Sequence, residues 1–133
     1  MTRPLPACAI LLAALFAAGP AHAQMPPLPG TEWGVHDPGG AERFLRFGGD
    51  GRVSGSAGCN RFTGPYERDG TRLSLGPLAT TRRMCPSEVM EAEQAFLSAL
   101  SRTAGIASLD ALVLELAGEG GEPLLTLRRR DVD

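Results

Sequence analysis

The chain has 133 residues, with 13 basic and 15 acidic side chains and an apolar fraction of 43%. This length accommodates a single domain, and the apolar fraction is that of a globular protein rather than a disordered one. The net charge of -2 argues against a dedicated nucleic-acid-binding protein, which needs a basic face. Every basic residue is an arginine, so chemistry that requires a lysine, such as a Schiff base, is excluded.

The N-terminal segment, residues 1–23, has the pattern of a cleaved secretory signal peptide. Arg3 precedes an uncharged apolar run over 9–18, which is too short to cross a membrane as a helix. An Ala-x-Ala sequence then ends at Ala23, so we predict cleavage between Ala23 and Gln24. The alternative is a buried N-terminal helix. The sequence thus predicts a periplasmic or secreted protein with no transmembrane segment in its mature chain.

The positions of the cysteines bear on anchoring and on the redox compartment. A lipid anchor would need a cysteine directly after the apolar run, where Gln24 stands, whereas Cys8 precedes the run. We therefore expect an exported protein without acylation. The mature chain retains Cys59 and Cys85, and an even pair in an oxidising compartment indicates a disulfide. Closing a loop of this size stabilises a fold by about 3.5 kcal/mol.

Short strands dominate the predicted secondary structure. The Pro-rich residues 24–30 form a lead-in without regular structure, followed by one domain over 31–130. Residues 58–64 contain too many glycines for a regular strand, so we expect a bulge or a close backbone approach there. Turn sequences such as Asp69-Gly70 separate the strands. About seven strands are predicted, at 32–36, 44–47, 52–56, 65–68, 71–75, 112–116 and 124–127, with a further short one at 78–82.

One helix interrupts the strands. Pro86 suits its first turn, acidic residues follow in its N-terminal half, and Gly105 is expected to end it. Its apolar stripe is Val89, Ala92, Phe96, Leu97 and Leu100. Helical spacing of this stripe predicts contact with the core. The predicted fold class is α+β and mostly β, a strongly curled antiparallel sheet or partial barrel with one helix packed on it.

Residues that carry chemistry are sparse. His36 is the one histidine of the mature chain, and a thiol enzyme built from it and Cys59 or Cys85 is the least favoured function. These residues lack the spacing of a zinc site. Asp50 and Asp69 each precede a glycine and are expected in turns rather than in a calcium loop. We predict no enzyme, no catalytic residue, no metal and no cofactor.

The basic cluster Arg128–Arg130 is followed by Asp131 and Asp133. Three consecutive arginines could touch phosphate or an acidic lipid surface. The acidic residues that follow favour a solvated tail instead.

The run from Gly51 to Gly64, followed by Tyr66, resembles the signature of the META domain, also called the HslJ-like heat-shock family. The resemblance continues through 78–82, Met84-Cys85 and 93–97, and an opening tryptophan at position 33 fits as well. It implies a compact, strongly bent antiparallel sheet with one helix. It also implies a small exported or envelope-associated protein, linked to heat shock, novobiocin tolerance or virulence, without established enzymatic activity. Members with two cysteines suggest that Cys59 pairs with Cys85.

Two interpretations of the motif remain open. In the first, Gly58 permits a close backbone approach, Cys59 ties the strand to the segment before the helix, and Asn60 satisfies unpaired backbone groups. In the second, Asn60, Arg61 and Tyr66 form an exposed recognition patch. The structural interpretation is favoured.

Two functions from different classes follow from the sequence. The first is a stress-associated, non-enzymatic module that binds an unidentified protein or envelope partner and is monomeric. The second is a carrier of a small apolar ligand inside the curled sheet, which requires an internal cavity. A lumen filled by Leu, Phe and Trp33 side chains would remove the second function.

Overall fold

The computed structural model describes residues 2–4, 13–14 and 25–132. The proposed cleavage position between Ala23 and Gln24 lies outside the described residues, as does nearly all of the predicted signal peptide. The described chain forms nine strands and one helix. They are β1 (Glu32–Gly34), β2 (Arg43–Phe47), β3 (Arg52–Ala57), β4 (Arg61–Asp69), β5 (Arg72–Leu75), β6 (Ala79–Thr80), α1 (Ser87–Arg102), β7 (Gly105–Leu109), β8 (Val113–Ala117) and β9 (Pro123–Arg129).

Eight of the strands close into an antiparallel barrel. The order around it is β3-β2-β1-β9-β8-β7-β5-β4, and pairing of β3 with β4 joins the two ends. The short strand β6 also pairs with β4, next to the part of β4 that pairs with β5. In this pairing Phe62 lies opposite Thr80. The predicted class is therefore confirmed, and the sheet is a closed barrel rather than a partial one.

The interior of the barrel is filled by side chains. Apolar residues alternate along the strands because successive side chains of a strand point to opposite faces. The largest fully buried apolar side chains are Trp33, Phe47, Phe96, Leu28, Leu45, Leu73, Leu100, Leu114, Leu116, Leu127 and Val53. Gly55 lets β2 and β3 approach closely, since an added Cβ would overlap the Phe44 carbonyl oxygen and lie 2.9 Å from the Leu45 Cα.

The helix α1 lies across one mouth of the barrel. It contacts β3, β5 and β9, strands that are well separated around the ring, so it cannot lie on the outer wall alone. Phe96 and Leu100 enter the core, and the Phe96 ring lies 6.1 Å from that of Phe62. The predicted core contact of the stripe is thus confirmed. The helix ends at Arg102, earlier than expected, because Gly105 begins β7.

The segment 58–60 is a hairpin connection rather than a bulge. The other expectation for residues 58–64, a close backbone approach, is confirmed at Gly64, where an added Cβ would lie 2.5 Å from the Pro77 carbonyl oxygen. Ser56 pairs with Arg61, and the Ala57 N–H donates to the Asn60 carbonyl oxygen at 2.8 Å. The glycine-rich composition reflects this tight reversal, where Gly58 has a φ of +120° that favours glycine. Strand β4 accordingly begins at Arg61, earlier than predicted.

The Pro-rich lead-in contributes to the core although it forms no strand or helix from residue 25 onward. Leu28 is fully buried, and its carbonyl oxygen accepts a hydrogen bond from the Thr31 hydroxyl. The same hydroxyl oxygen accepts the Trp33 indole N–H at 2.7 Å. The Gly30 N–H donates to the Phe47 carbonyl oxygen at 2.7 Å. These contacts seat the lead-in against the closed barrel.

The arginines at 128–130 do not form a tail as predicted, although Arg128 and Arg130 are exposed. Strand β9 runs to Arg129 and pairs with β1, with Trp33 opposite Arg129. The Arg129 guanidinium donates to Asp131 at 2.9 Å and stands 5.7 Å from the Trp33 ring centre. Arg130 lies 4.3 Å from the Phe44 ring centre and pairs with Glu42. Local charge pattern could not reveal the contacts with Trp33, Phe44 and Glu42, because these residues lie far away along the chain.

Asp131 makes this C-terminal contact pH-dependent. The Arg129 guanidinium and then the Glu32 N–H donate to its carboxylate, and together they lower its pKa to about 2. A lowered folded-state pKa stabilises the fold above the unfolded pKa of about 4, and this stabilisation is lost as pH falls toward 2. We expect Asp131→Asn to lower the free energy of unfolding at pH 7 by at most about 1 kcal/mol, because solvent screens the pair.

Urea denaturation at pH 7, 4 and 2.5 checks this expectation. The difference between wild type and Asp131→Asn should shrink as pH falls. The exposed Asp69 supplies the control, since Asp69→Asn makes the same change in charge. A difference of constant size at all three pH values would contradict the role assigned to Asp131.

Candidate functional site

The candidate site is built around a buried carboxylate on α1. Glu93 is 2% exposed. Its Oε1 accepts the backbone N–H groups of Cys59 at 3.1 Å and Asn60 at 2.6 Å, and its Oε2 accepts the Asn60 Nδ2 at 2.7 Å. Three N–H donors therefore compensate for the removal of this carboxylate from water.

Asn60 connects this carboxylate to the segment after β6. Its Nδ2 also donates to the Arg83 carbonyl oxygen at 3.1 Å, and its Oδ1 accepts the Thr81 hydroxyl at 3.0 Å and the Arg83 N–H at 2.5 Å. Both donors and both acceptor positions of the side chain are thus occupied. Because Asn60 is only 4% exposed, its geometry fits the structural interpretation of the motif.

A disulfide ties the same segments covalently. Cys59 and Cys85 are bonded, with their Cα atoms 6.0 Å apart and a sequence separation of 26. The structure thus contains the predicted pair. We call the whole arrangement the clasp, and its members are Cys59, Asn60, Thr81, Arg83, Cys85 and Glu93. The clasp joins the β3–β4 connection, the segment after β6 and the first half of α1.

The other residues singled out in the sequence do not gather at the clasp. Tyr66 is six residues beyond Asn60, about 20 Å along an extended strand. Its hydroxyl donates to the Gly48 carbonyl oxygen at 3.0 Å, and its ring stands edge-on to Phe47 with centres 5.0 Å apart. Burial and then the charge of Asp50 raise the pKa of the Tyr66 hydroxyl. Asn60 and Tyr66 therefore serve opposite ends of the β3–β4 hairpin.

The clasp presents an exposed segment that we call the arginine loop, Arg82 to Met84. All three of its residues are exposed, and Met84 is 86% exposed. Arg61 is also exposed and is hydrogen-bonded through its backbone to Thr81, the residue before the loop. The guanidinium groups of Arg61, Arg82 and Arg83 form no hydrogen bond or ion pair with any described residue.

Glu93, Thr81 and Arg83 are the clasp residues that the sequence did not mark as site residues. Glu93 is one of the acidic residues that suit the N-terminal half of the helix. Its position carried a usable signal, because Glu93 lies four residues after Val89 and three before Phe96, on the buried stripe. A carboxylate within an apolar stripe must find hydrogen-bond donors, and the Gly58–Asn60 connection supplies them.

The chemistry available at these residues is limited. Both cysteines that the thiol-enzyme alternative needs are bonded to each other, and His36 is exposed in the connection after β1. Within residues 25–132 and the two short N-terminal pieces, no group of His, Cys, Asp and Glu side chains is arranged to hold a metal ion. The described helix α1 is too short and too polar to cross a membrane, and no other helix is described.

The comparisons with known proteins agree with the fold. The META domain family model matches residues 26–131. A protein from Burkholderia xenovorans, solved by NMR, is 30% identical, with a TM-score of 0.60 over 79% of this chain and 85% of its own. A second NMR structure is 25% identical, with a TM-score of 0.58 over 77% of this chain and 90% of its own.

A DUF4847-family protein from Bacteroides vulgatus shares the fold at 22% identity, with a TM-score of 0.51 over 68% of this chain and 61% of its own. No curated protein matches the chain. The family match covers most of the chain, including the barrel, the helix and every residue of the clasp. The chain therefore belongs to the META domain family.

Proposed function

We propose that this protein is an exported, stress-associated and non-enzymatic META-domain module that binds a protein or envelope partner through its surface. The observation that carries the proposal is the filled interior of the closed barrel, where Trp33, Phe47 and Leu45 are at most 1% exposed. Side chains occupy the space that an internal ligand would need. A partner would therefore bind to the outer surface of the barrel.

Export is supported by two independent features. The Ala23–Gln24 sequence context is typical of signal-peptidase cleavage. Disulfides such as Cys59–Cys85 form and persist in oxidising compartments, of which the periplasm is one. The alternative of a small apolar ligand carried inside the sheet is less well supported, because core side chains, including Phe96 and Leu100 of α1, occupy that volume.

Cross-linked pull-downs from envelope extracts test the proposal. The tagged, oxidised protein is the bait, and an unrelated exported disulfide-bonded protein of similar size is the control. We expect one partner to be recovered repeatedly with the bait and not with the control, and its recovery to rise in extracts from heat-shocked cells. Replicate extracts that give no specific partner would count against the binding role.

A further inference from the structure

We propose that the arginine loop and Arg61 bind an anionic phospholipid surface, with the Met84 side chain entering the boundary between headgroups and acyl chains. This inference deepens the proposed function and rests on it, because export would bring the loop next to envelope membranes. It assigns the partner chemistry to phosphate groups rather than to a protein.

The first support is uncompensated positive charge in an acidic protein. Arg61, Arg82 and Arg83 are exposed and have no acidic partner among the described residues. Among the described arginines, Arg43, Arg129 and Arg130 do have an acidic partner. Arg52 and Arg72 are exposed and unpaired as well, but they do not lie beside an exposed apolar side chain as Arg82 and Arg83 do. A guanidinium group can donate two parallel N–H hydrogen bonds to the oxygens of one phosphate group. The three arginines are therefore available to an anionic ligand.

The second support is the way in which the clasp holds the loop. Asn60 binds both the N–H and the carbonyl oxygen of Arg83. The loop begins directly after Thr81, which hydrogen-bonds to Arg61, and ends at the disulfide-bonded Cys85. A segment without regular secondary structure is thus held at both ends and in the middle. Such preorganisation lowers the entropy that binding would otherwise cost.

The third support is the exposed apolar side chain beside the charges. Met84 is 86% exposed, and basic side chains flanking an apolar one are typical of membrane interfaces. Arg82, Arg83 and Met84 line none of the surface depressions beside β5 and β7, between β1 and β9, and beside β2, although Arg61 lines the last of these together with Glu32 and Glu42. The arginine loop therefore borders none of these grooves, in which a peptide could lie, whereas a lipid surface needs no groove.

Vesicle flotation tests the proposal with the oxidised protein at low ionic strength. We expect binding to phosphatidylcholine vesicles that contain phosphatidylglycerol, and none to pure phosphatidylcholine. Each arginine near an anionic surface contributes about fivefold to the partition coefficient. Arg82→Ser/Arg83→Ser should therefore bind about 25-fold more weakly. Met84→Ser should also bind more weakly, and raised salt should release the wild type.

Arg52→Ser/Arg72→Ser is the matched control, because it removes the same charge at exposed positions away from the loop. It should keep most of the binding. Thermal unfolding should be unchanged in Arg82→Ser/Arg83→Ser, since Asn60 contacts only the Arg83 backbone. If that double variant is destabilised, Arg82→Ser alone carries the test, with an expected fivefold loss.

Three results would overturn the proposal: no binding to the anionic vesicles, equal losses in the two double variants, or binding to polyglutamate but not to vesicles. The last result would assign the loop to an acidic protein instead. A specific partner in the pull-down together with absent vesicle binding would remove this inference while leaving the proposed function intact.

Discussion

Replacing Glu93 with glutamine is expected to lower the free energy of unfolding by about 3 kcal/mol, the cost of leaving buried polar groups unpaired. The Oε1 position faces the N–H groups of Cys59 and Asn60, and the Oε2 position faces the Asn60 Nδ2. Whichever way the new amide is turned, its NH2 group meets at least one N–H donor. The removal of one charge thus breaks the clasp at its buried centre.

Urea denaturation at neutral pH measures the effect. Glu91→Gln is the matched control, because Glu91 is exposed on the same helix two residues earlier. We expect the control to change stability by less than about 0.5 kcal/mol, as surface substitutions do. Equal stability of Glu93→Gln and Glu91→Gln would show that the hydrogen bonds of Glu93 do not hold the fold together.

Removal of the disulfide is expected to have an effect of similar size. The double variant Cys59→Ser/Cys85→Ser frees a loop with a sequence separation of 26 residues. The gain in unfolded-chain entropy should lower the free energy of unfolding by about 3.5 kcal/mol. The barrel itself should still form, because the Asn60 and Glu93 hydrogen bonds and the strand pairing remain.

The serine double variant and the chemically reduced wild type should show the same denaturation midpoint, and this agreement is the control for the substitutions themselves. Combining the serine variant with Glu93→Gln should give an effect that differs from the sum, since both changes act on the same connection. An unchanged midpoint after reduction would contradict the stabilising role of the disulfide.

Much of the barrel could be predicted from local pattern. Alternating apolar residues and Gly-rich turns placed most of the strands, and helical spacing placed Phe96 and Leu100 in the core. Strand β7 was missed because Gly105–Leu109 has only two large apolar residues and directly follows the helix. Closure of the barrel depends on pairs such as Arg72 with Gly105, which no local pattern encodes.

The site was predictable only in part for a related reason. The role of Asn60 in binding backbone groups could be predicted from the sequence. An asparagine side chain can donate to and accept from several backbone groups at once, and Asn60 stands next to a cysteine in a glycine-rich segment. Its partners could not be identified, since Glu93 lies 33 residues away. The arginines at 128–130 were misplaced because their cluster was judged by the neighbouring acidic residues, and not by the strand β1 with which it pairs.

The clasp also connects the two interpretations of the motif. The donors and acceptor of the Asn60 side chain are all used in internal hydrogen bonds, which favours the structural interpretation. Asn60 fixes the backbone of Arg83 in the exposed arginine loop. A structural motif therefore sets the geometry of a surface that we assign to recognition. Variants at Asn60 are expected to affect both stability and binding, whereas variants at Arg82 affect binding alone.

The most direct test of an exported, disulfide-locked module is the intact mass of the protein recovered from the envelope fraction, with and without reduction, combined with a thiol count under denaturing conditions. We predict an unacylated chain that begins at Gln24, is two hydrogens lighter before reduction than after, and has no free thiol. Two free thiols, an added acyl mass or a retained N-terminal segment would contradict this prediction.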